Sequence, residues 1–283
     1  MDAPVVPAFL DVESSLKGKR WRLRSENERL GLAISQRLDV PEIVGRVMAG
    51  RGVALEEAEQ YLDPTLRNLL PDPSSFKDMD KGAARIAAAI EGAEKIAVFG
   101  DYDVDGATSS GLLKRFFNAI GAPVIIYIPD RMKEGYGPNS AAMDTLKSQG
   151  VDLVITVDCG IVSFDVLKHA KDIGLEVIVV DHHQAETRLP DAVAVINPKR
   201  HDESQQFTYL AAVGVTFLLV VAVNRALREA GWYTETRREP DPRYWLDLVA
   251  LGTVCDVVPL IGLNRAFVAQ GLKVMARRGN AGL

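Results

Sequence analysis

Through the middle of the chain, short uninterrupted apolar runs alternate with amphipathic stretches. Runs rich in β-branched residues fall at 95–99, 124–128, 153–157, 176–180 and 193–196. Their length and continuity suit strands covered on both faces. Between them, 107–120, 140–149 and 163–173 carry apolar residues at helical spacing. Strand–helix alternation at such short intervals predicts an α/β fold, with a parallel sheet of about five strands, right-handed crossovers and flanking helices. On both sides of this region the pattern is helical. Before it, amphipathic stretches at 26–38 and 41–49 lead into a linker marked by Asp63-Pro64 and Pro71-Asp72-Pro73-Ser74-Ser75, then a helix over 81–91. After Asn197-Pro198, helices are expected at 209–230, 243–253 and 264–278, with 237–243 as an exposed loop. The organisation expected is a helical N-terminal segment, 1–75, followed by one larger domain, 76–283, that ends in a helical C-terminal part.

Composition narrows the class. A chain of 283 residues with 47% hydrophobic content can bury a large core. Cys159 and Cys255 are too few for a disulfide framework, so a reducing cytoplasm is the expected location. Residues 1–10 lack a basic leading region and carry Asp2, Pro4 and Pro7, which is not the pattern of a signal peptide. The apolar stretch at 209–223 falls short of the ~18–20 residues that a spanning helix needs, and reads as a buried core helix. No membrane association is expected. The net charge of −5 argues against a generally basic nucleic-acid binder. It does not exclude a local basic face, particularly if bound metal neutralises several acids. Lys17, Lys19, Arg20, Arg22 and Arg24 surround Trp21. That run reads either as a solvated surface segment or as a phosphate-contacting arm with one stacking aromatic.

Candidate chemistry sits directly after three of the expected strands. The clusters are Gly100-Asp101-Tyr102-Asp103-Val104-Asp105-Gly106, then Val157-Asp158-Cys159-Gly160, then Asp181-His182-His183. In an open parallel sheet all strand C-termini lie along one edge, so these side chains would converge there. So much negative charge in one place implies bound cations. An EF-hand loop would need a glutamate at its twelfth position, where this chain has Leu112, and a helix rather than a strand before it. A haloacid-dehalogenase type of phosphatase would explain Asp103 and Asp105 but leave Asp158 and both histidines idle. A helix cap explains one aspartate and not three. Adjacent His182 and His183 cannot point the same way from extended backbone, so one can bind metal while the other faces substrate. Asp181 could then orient an imidazole. Carboxylates with one imidazole and no thiolate favour manganese or magnesium over zinc or copper, and their number suggests two ions ~3.5–4 Å apart.

These clusters, with Ala250-Leu251-Gly252-Thr253-Val254-Cys255-Asp256-Val257-Val258-Pro259-Leu260, resemble motifs I to IV of the DHH phosphoesterases. Further segments resemble the RecJ group of single-strand-specific exonucleases. They are Tyr127-Ile128-Pro129-Asp130-Arg131, Glu134-Gly135-Tyr136-Gly137, Asn197-Pro198-Lys199 and the run from Leu210 to Val215. Arg20-Trp21, Pro41-Glu42-Ile43 and Tyr61-Leu62-Asp63-Pro64 extend the likeness to the N-terminal part.

The resemblance implies one ion held by Asp101, Asp103 and Asp158, and another held by Asp105, Asp158, His182 and Asp256, with Asp158 bridging. In the wider family a histidine opens the first motif. Here that position is Phe99, which cannot bind metal, and Asp101 is the implied replacement. His183 is implied at the scissile phosphate, as donor to the leaving oxygen, with Asp181 behind it. Arg131, Lys133 and Tyr136 follow a strand on the same rim and could bind phosphate or stack a base. Surface salt bridges are the competing reading for them. The activity implied is 5′-to-3′ exonuclease action on single-stranded DNA, releasing 5′-mononucleotides in DNA repair and recombination. The implied partners are single-stranded DNA, a single-strand-binding protein and a repair helicase, around a monomeric enzyme. Such proteins continue into a second substrate-binding domain and an oligonucleotide-binding fold. The glycine- and histidine-containing motif of the former does not occur in this sequence, so hydrolysis is expected to be weakened and distributive. Two alternatives remain: a DHH phosphoesterase acting on short oligonucleotides or cyclic dinucleotides, and a catalytically silent binding module.

Overall fold

The computed structural model describes residues 7–23 and 28–283. Arg24 of the basic run, the start of the 26–38 stretch and most of residues 1–10 lie outside the described residues. The chain divides into two compact units, Met1–Pro64 and Thr65–Leu283.

In the first unit, residues 7–23 make one short 3-10 turn, Phe9–Asp11, and otherwise fold back on themselves, although the sequence pattern predicts a helical segment over the whole of 1–75. The Phe9 N–H donates to the Trp21 carbonyl and the Trp21 N–H to the Val12 carbonyl, both at 3.0 Å. Arg20 of the basic run pairs with Glu13, and Trp21 is half exposed. Helices α1 (Glu28–Leu38), α2 (Glu42–Gly50) and α3 (Ala58–Leu62) follow. Their apolar stripes enclose a small core of Ile34, Met48, Ala49, Val53 and Ala58.

The second unit begins with α4 (Leu66–Leu69) and α5 (Met79–Glu91). Leu66, Leu69 and Leu70 pack on its large core, so the unit starts at Thr65 and not after residue 75, where the proline-rich linker suggested a boundary. The sheet then forms in the order β1 (Ile96–Gly100), α6 (Val104–Ala119), β2 (Ile125–Tyr127), α7 (Ser140–Ser148), β3 (Leu153–Val157), α8 (Phe164–Asp172), β4 (Glu176–Val180) and β5 (Ala194–Ile196). Three helices complete it: α9 (Ala212–Glu229), α10 (Leu246–Cys255) and α11 (Gly262–Met275). All strand pairs are parallel, in the spatial order β2-β1-β3-β4-β5.

Successive residues of a strand face opposite sides, and both sides here are apolar. Ile96 and Val98 join Leu153, Ile155, Ile178 and Val180 under α5, α6, α9 and α10. Ala97 and Phe99 join Val154, Val177 and Val179 on the other face, with Met143 and Leu146 of α7 and Leu167 of α8. Each fully buried Phe, Leu or Ile contributes roughly 1.5–3 kcal/mol relative to exposure. The apolar stretch expected as a core helix is α9, buried along most of its length. Among the described residues, no helix is long and apolar enough to cross a membrane.

Element ends differ from expectation where a side chain intervenes. Helix α6 starts three residues before the expected 107, because Asp103 Oδ1 accepts the Gly106 N–H at 3.0 Å and caps it. Strand β2 stops at Tyr127, close to Pro129, which has no N–H to offer a ladder. Before α10, Asp241 and Pro242 open a separate 3-10 turn, so that helix begins at Leu246 and not at 243.

Candidate metal centre

Three acids stand one residue beyond strand ends: Asp101 after β1, Asp158 after β3 and Asp181 after β4. At each, the sheet ladder runs one bond further. The Asp101 N–H donates to Val157 O (3.3 Å), the Asp158 N–H to Val180 O (3.0 Å) and the Asp181 N–H to Ile196 O (3.0 Å). The neighbouring strand thus fixes the backbone of each acid. Strands β1 and β3 lie side by side although β2 separates them in sequence. At such a switch point the crossovers leave in opposite directions and a crevice opens outside the strand ends. Asp158 is also held in the left-handed region, at φ 62°, a conformation that costs of order 1–3 kcal/mol and concentrates at functional sites.

The crevice gathers the acids and imidazoles into three groups whose ligand atoms lie within 4.8 Å of one another: Asp101, Asp103 and Asp158; Asp105, His182 and Asp256; and Asp158, His182 and His183. Asp105, inside the first turn of α6, accepts the Ala212 N–H at 2.6 Å and the Val213 N–H at 2.8 Å. Those are leading donors of α9, so this carboxylate also caps a distant helix. Asp256 lies at the end of α10, with Oδ2 3.7 Å from His182 Nδ1. Phe99 takes no part. It is fully buried and stacks on Tyr127, ring centroids 5.2 Å apart.

The two histidines share backbone bonds to Asp181 but differ in burial and in the partners of their ring nitrogens. His182 is buried, and its Nδ1 lies 3.0 Å from the carbonyl oxygen of Leu210. A carbonyl can only accept, so Nδ1 carries a proton, and in the neutral ring Nε2 is the nitrogen with the lone pair. That lone pair sits 3.2 Å from Asp158 Oδ1 and 3.9 Å from Asp105 Oδ2. His183 is half exposed, with Nδ1 2.8 Å from Asp181 Oδ1. Asp181 is wholly occupied by such work. It also accepts the Ile161 N–H (3.0 Å), the His182 N–H (2.7 Å) and the His183 N–H (3.1 Å). Burial pushes its carboxyl up, but the His183 hydrogen bond and charge outweigh that and hold it below the usual range. The same bond raises His183 to about 9.

The remaining acids behave in the opposite way. Burial pushes Asp105 up to about 6, against the hydrogen bonds it accepts from the Val213 and Ala212 N–H groups. Burial and then the charge of Asp105 push Asp158 up to about 10. Asp101 and Asp256 are raised by burial as well. Asp101 Oδ1, Asp158 Oδ1 and His182 Nε2 are buried without a hydrogen-bond partner. An orphaned buried polar atom costs about 1–3 kcal/mol, and an ionised Asp158 Oδ1 facing an unprotonated His182 Nε2 sets two acceptors against each other. Two divalent cations would satisfy all three, since Asp101 falls in one candidate group with Asp158 and His182 in another. The donor set of carboxylates and one neutral imidazole, free of thiolate, fits manganese or magnesium.

Of the substrate-contact candidates, the structure brings Tyr136 to the centre. Its hydroxyl donates to Asp158 O at 3.0 Å and lies 3.3 Å from His183 Nδ1. Arg131 stacks over the Tyr102 ring, 5.0 Å from its centroid. Lys133 pairs with Asp130 of its own loop at 3.6 Å, the surface reading. The loop itself is pinned by Glu134, which accepts from Tyr127 Oη (2.7 Å), the Asp130 N–H (2.7 Å) and Asn139 Nδ2 (3.2 Å). Sequence reasoning assigned no chemistry to Asn197, whose amide donates to His183 O at 2.9 Å, or to the Leu210 carbonyl and the first N–H groups of α9. The Asn-Pro-Lys and Leu210–Val215 segments were the available signals.

Residues 95–253 match the profile described as "DHH family, N-terminal domain". The single-stranded-DNA-specific exonuclease RecJ of Bacillus subtilis is 36% identical over 264 residues, covering 93% of this chain and 32% of that protein. Its namesake from Salmonella typhimurium is 40% identical over 236 residues, 83% of this chain and 40% of that protein. This chain therefore spans about a third to two fifths of the length of these relatives. The crystal structure of RecJ in complex with Mn2+ from Thermus thermophilus superimposes with a TM-score of 0.67 at 32% identity, over 87% of this chain and 33% of that one. Another crystal structure, of exonuclease RecJ bound to manganese, gives 0.61 at 36% identity, over 70% and 48%. On a match that takes in the whole sheet and every acidic motif but the last, the chain belongs to the DHH family.

Proposed function

We propose that this chain is a metal-dependent phosphodiester hydrolase acting as a 5′-to-3′ exonuclease on single-stranded DNA and releasing 5′-mononucleotides. The observation that carries the proposal is the set of three buried, unpartnered ligand atoms, Asp101 Oδ1, Asp158 Oδ1 and His182 Nε2, at one sheet edge. The likeness to RecJ exonucleases supports the choice of substrate and polarity. Asp101, Asp103, Asp105, Asp158, His182 and Asp256 would hold two manganese or magnesium ions. Bound there, such ions supply Lewis acidity to a water and charge neutralisation to the phosphate.

The chain's own groups do the rest. The Leu210 carbonyl holds a proton on His182 Nδ1, so Nε2 is the nitrogen turned to the carboxylates as a ligand. Asp181 engages Nδ1 of His183 and so leaves Nε2 as the nitrogen available to substrate. An imidazole kept protonated by that carboxylate can bind the scissile phosphate and deliver a proton to the departing 3′-oxygen. Tyr136 packs edge-on against the ring, with its hydroxyl 3.3 Å from the same Nδ1. Tyr136 and the Tyr102–Arg131 pair would form the lip over which the strand enters, with base stacking contributing roughly 1–3 kcal/mol per base.

The test is digestion of a 3′-labelled single-stranded oligonucleotide in manganese. Successive shortening of the labelled strand, with release of 5′-mononucleotides and no cutting of a duplex control, is the expected result. Hydrolysis confined to dinucleotides or cyclic dinucleotides would move the chain to another branch of the family. No hydrolysis of any phosphodiester by metal-loaded protein would refute the proposal.

A further inference from the structure

Beside the acidic rim stands a cation that no acid among the described residues has claimed. Lys199 follows β5 in the turn Asn197-Pro198-Lys199-Arg200 and is half-buried. That turn is rigidly built. Asn197 Oδ1 accepts the Lys199 N–H at 2.7 Å, and the same side chain donates through Nδ2 to His183 O at 2.9 Å. One buried amide therefore sets Lys199 and His183 in fixed relation. The next residue locks the turn from the other end. Arg200 is buried, and its guanidinium is consumed by Asp78 (2.8 Å), Val195 O (2.6 Å) and Asp202 (2.8 Å). The Lys199 ammonium, by contrast, has no ion-pair partner within 4.0 Å among the described residues. Its positive charge lies close enough to act on both His183 and Asp256, and works to lower the pKa of each.

A partly buried lysine on a fixed turn, its ammonium without an ion-pair partner among the described residues, is a binding group for an anion. It is better placed for that than the two cations of the 128–139 loop. Arg131 lies against Tyr102, and Lys133 is 82% exposed and paired with Asp130. We propose that Lys199 anchors the substrate phosphate, its ammonium taking a non-bridging oxygen on the side of the phosphate next to His183. This rests on the phosphoesterase reading of the site. It assigns to Asn197 the role of a positioning residue that holds the phosphate anchor and the proton donor in register.

Titration calorimetry of the manganese-loaded chain with thymidine 5′-monophosphate tests it, with thymidine as the uncharged control. Lys199→Gln should keep its manganese and weaken monophosphate binding by roughly 10- to 100-fold, the loss of one charge-assisted hydrogen bond. Thymidine binding should not change, and Lys199→Arg should recover most of the affinity. Equal monophosphate affinity in wild type and Lys199→Gln, or no binding by wild type, overturns the proposal. So does loss of manganese from Lys199→Gln, which would make the lysine a counter-charge to the carboxylates. The activity assay separates the two claims. A wild type that binds monophosphate through Lys199 but leaves single-stranded DNA intact refutes the exonuclease reading alone. A wild type that degrades DNA while the Lys199 variants match it in binding and KM refutes the anchor alone.

Discussion

His182 and His183 are neighbours in sequence that the backbone turns to different tasks, and the difference can be measured. His182→Ala removes the buried imidazole proposed as a ligand, together with its bond to Leu210, and should lower manganese affinity. His183→Ala should leave the metal in place and reduce the rate on the order of 10²–10⁴-fold, the usual worth of a proton donor. Equal loss of metal from both variants would contradict this division. At this scale much of the site was legible. Aspartates after β-rich runs, and a histidine pair that cannot share one direction, point to a metal rim without any coordinates. What escaped was whatever the backbone supplies. The Leu210 carbonyl that sets the His182 tautomer, and the Ala212 and Val213 N–H groups that hold Asp105, have no side-chain signature. Asn197 and Lys199 escaped for another reason, since their worth depends on a turn whose shape pairwise spacing does not encode.

Among the elements, strand and helix identity followed from periodicity, while helix starts were misjudged where a distant or capping carboxylate intervened. Asp103 pulls the start of α6 forward, and Asp105 receives the start of α9. The same region shows why Gly252 stands where α10 crosses α6 and α9. A Cβ there would lie 2.3 Å from Thr108 Oγ1, 2.8 Å from Val213 Cγ1 and 3.1 Å from Asp105 Oδ1. Three helices thus meet around the Asp105 carboxylate, and α10 carries Asp256 at its end. Gly252→Ala should cost about 1–3 kcal/mol by overpacking. It should also displace Asp256 and Asp105 together, weakening the metal group that contains both. Chemical denaturation with parallel manganese titration checks this. A stable variant with unaltered metal affinity would show that the helix contact does not set the ligand geometry.

For the molecule as a whole, the raised carboxyls make stability depend on pH and metal together. Asp105 and Asp158 have folded-state values of about 6 and about 10, above the ordinary carboxylate range. The folded chain therefore holds protons that the unfolded chain releases, and stability falls as pH rises. The contribution is fully present only below the ordinary carboxyl value of 3.8 and is lost as pH climbs from there through those folded-state values. Metal-free protein should accordingly melt at lower temperature at pH 8 than at pH 5. Manganese should reverse the trend, because ions bound only to the folded state stabilise its ionised carboxylates by mass action. Melting temperatures with and without chelator across that range decide the matter, and a flat metal-free profile would argue against a strained acidic cluster. The central claim, that these acids and His182 form one two-ion centre bridged by Asp158, has a more direct test in manganese counted per molecule after equilibration and desalting. About two ions in the wild type, with most of that binding lost in Asp158→Asn, is the expected result. A wild type without manganese, or an Asp158→Asn variant that retains both ions, would contradict the account.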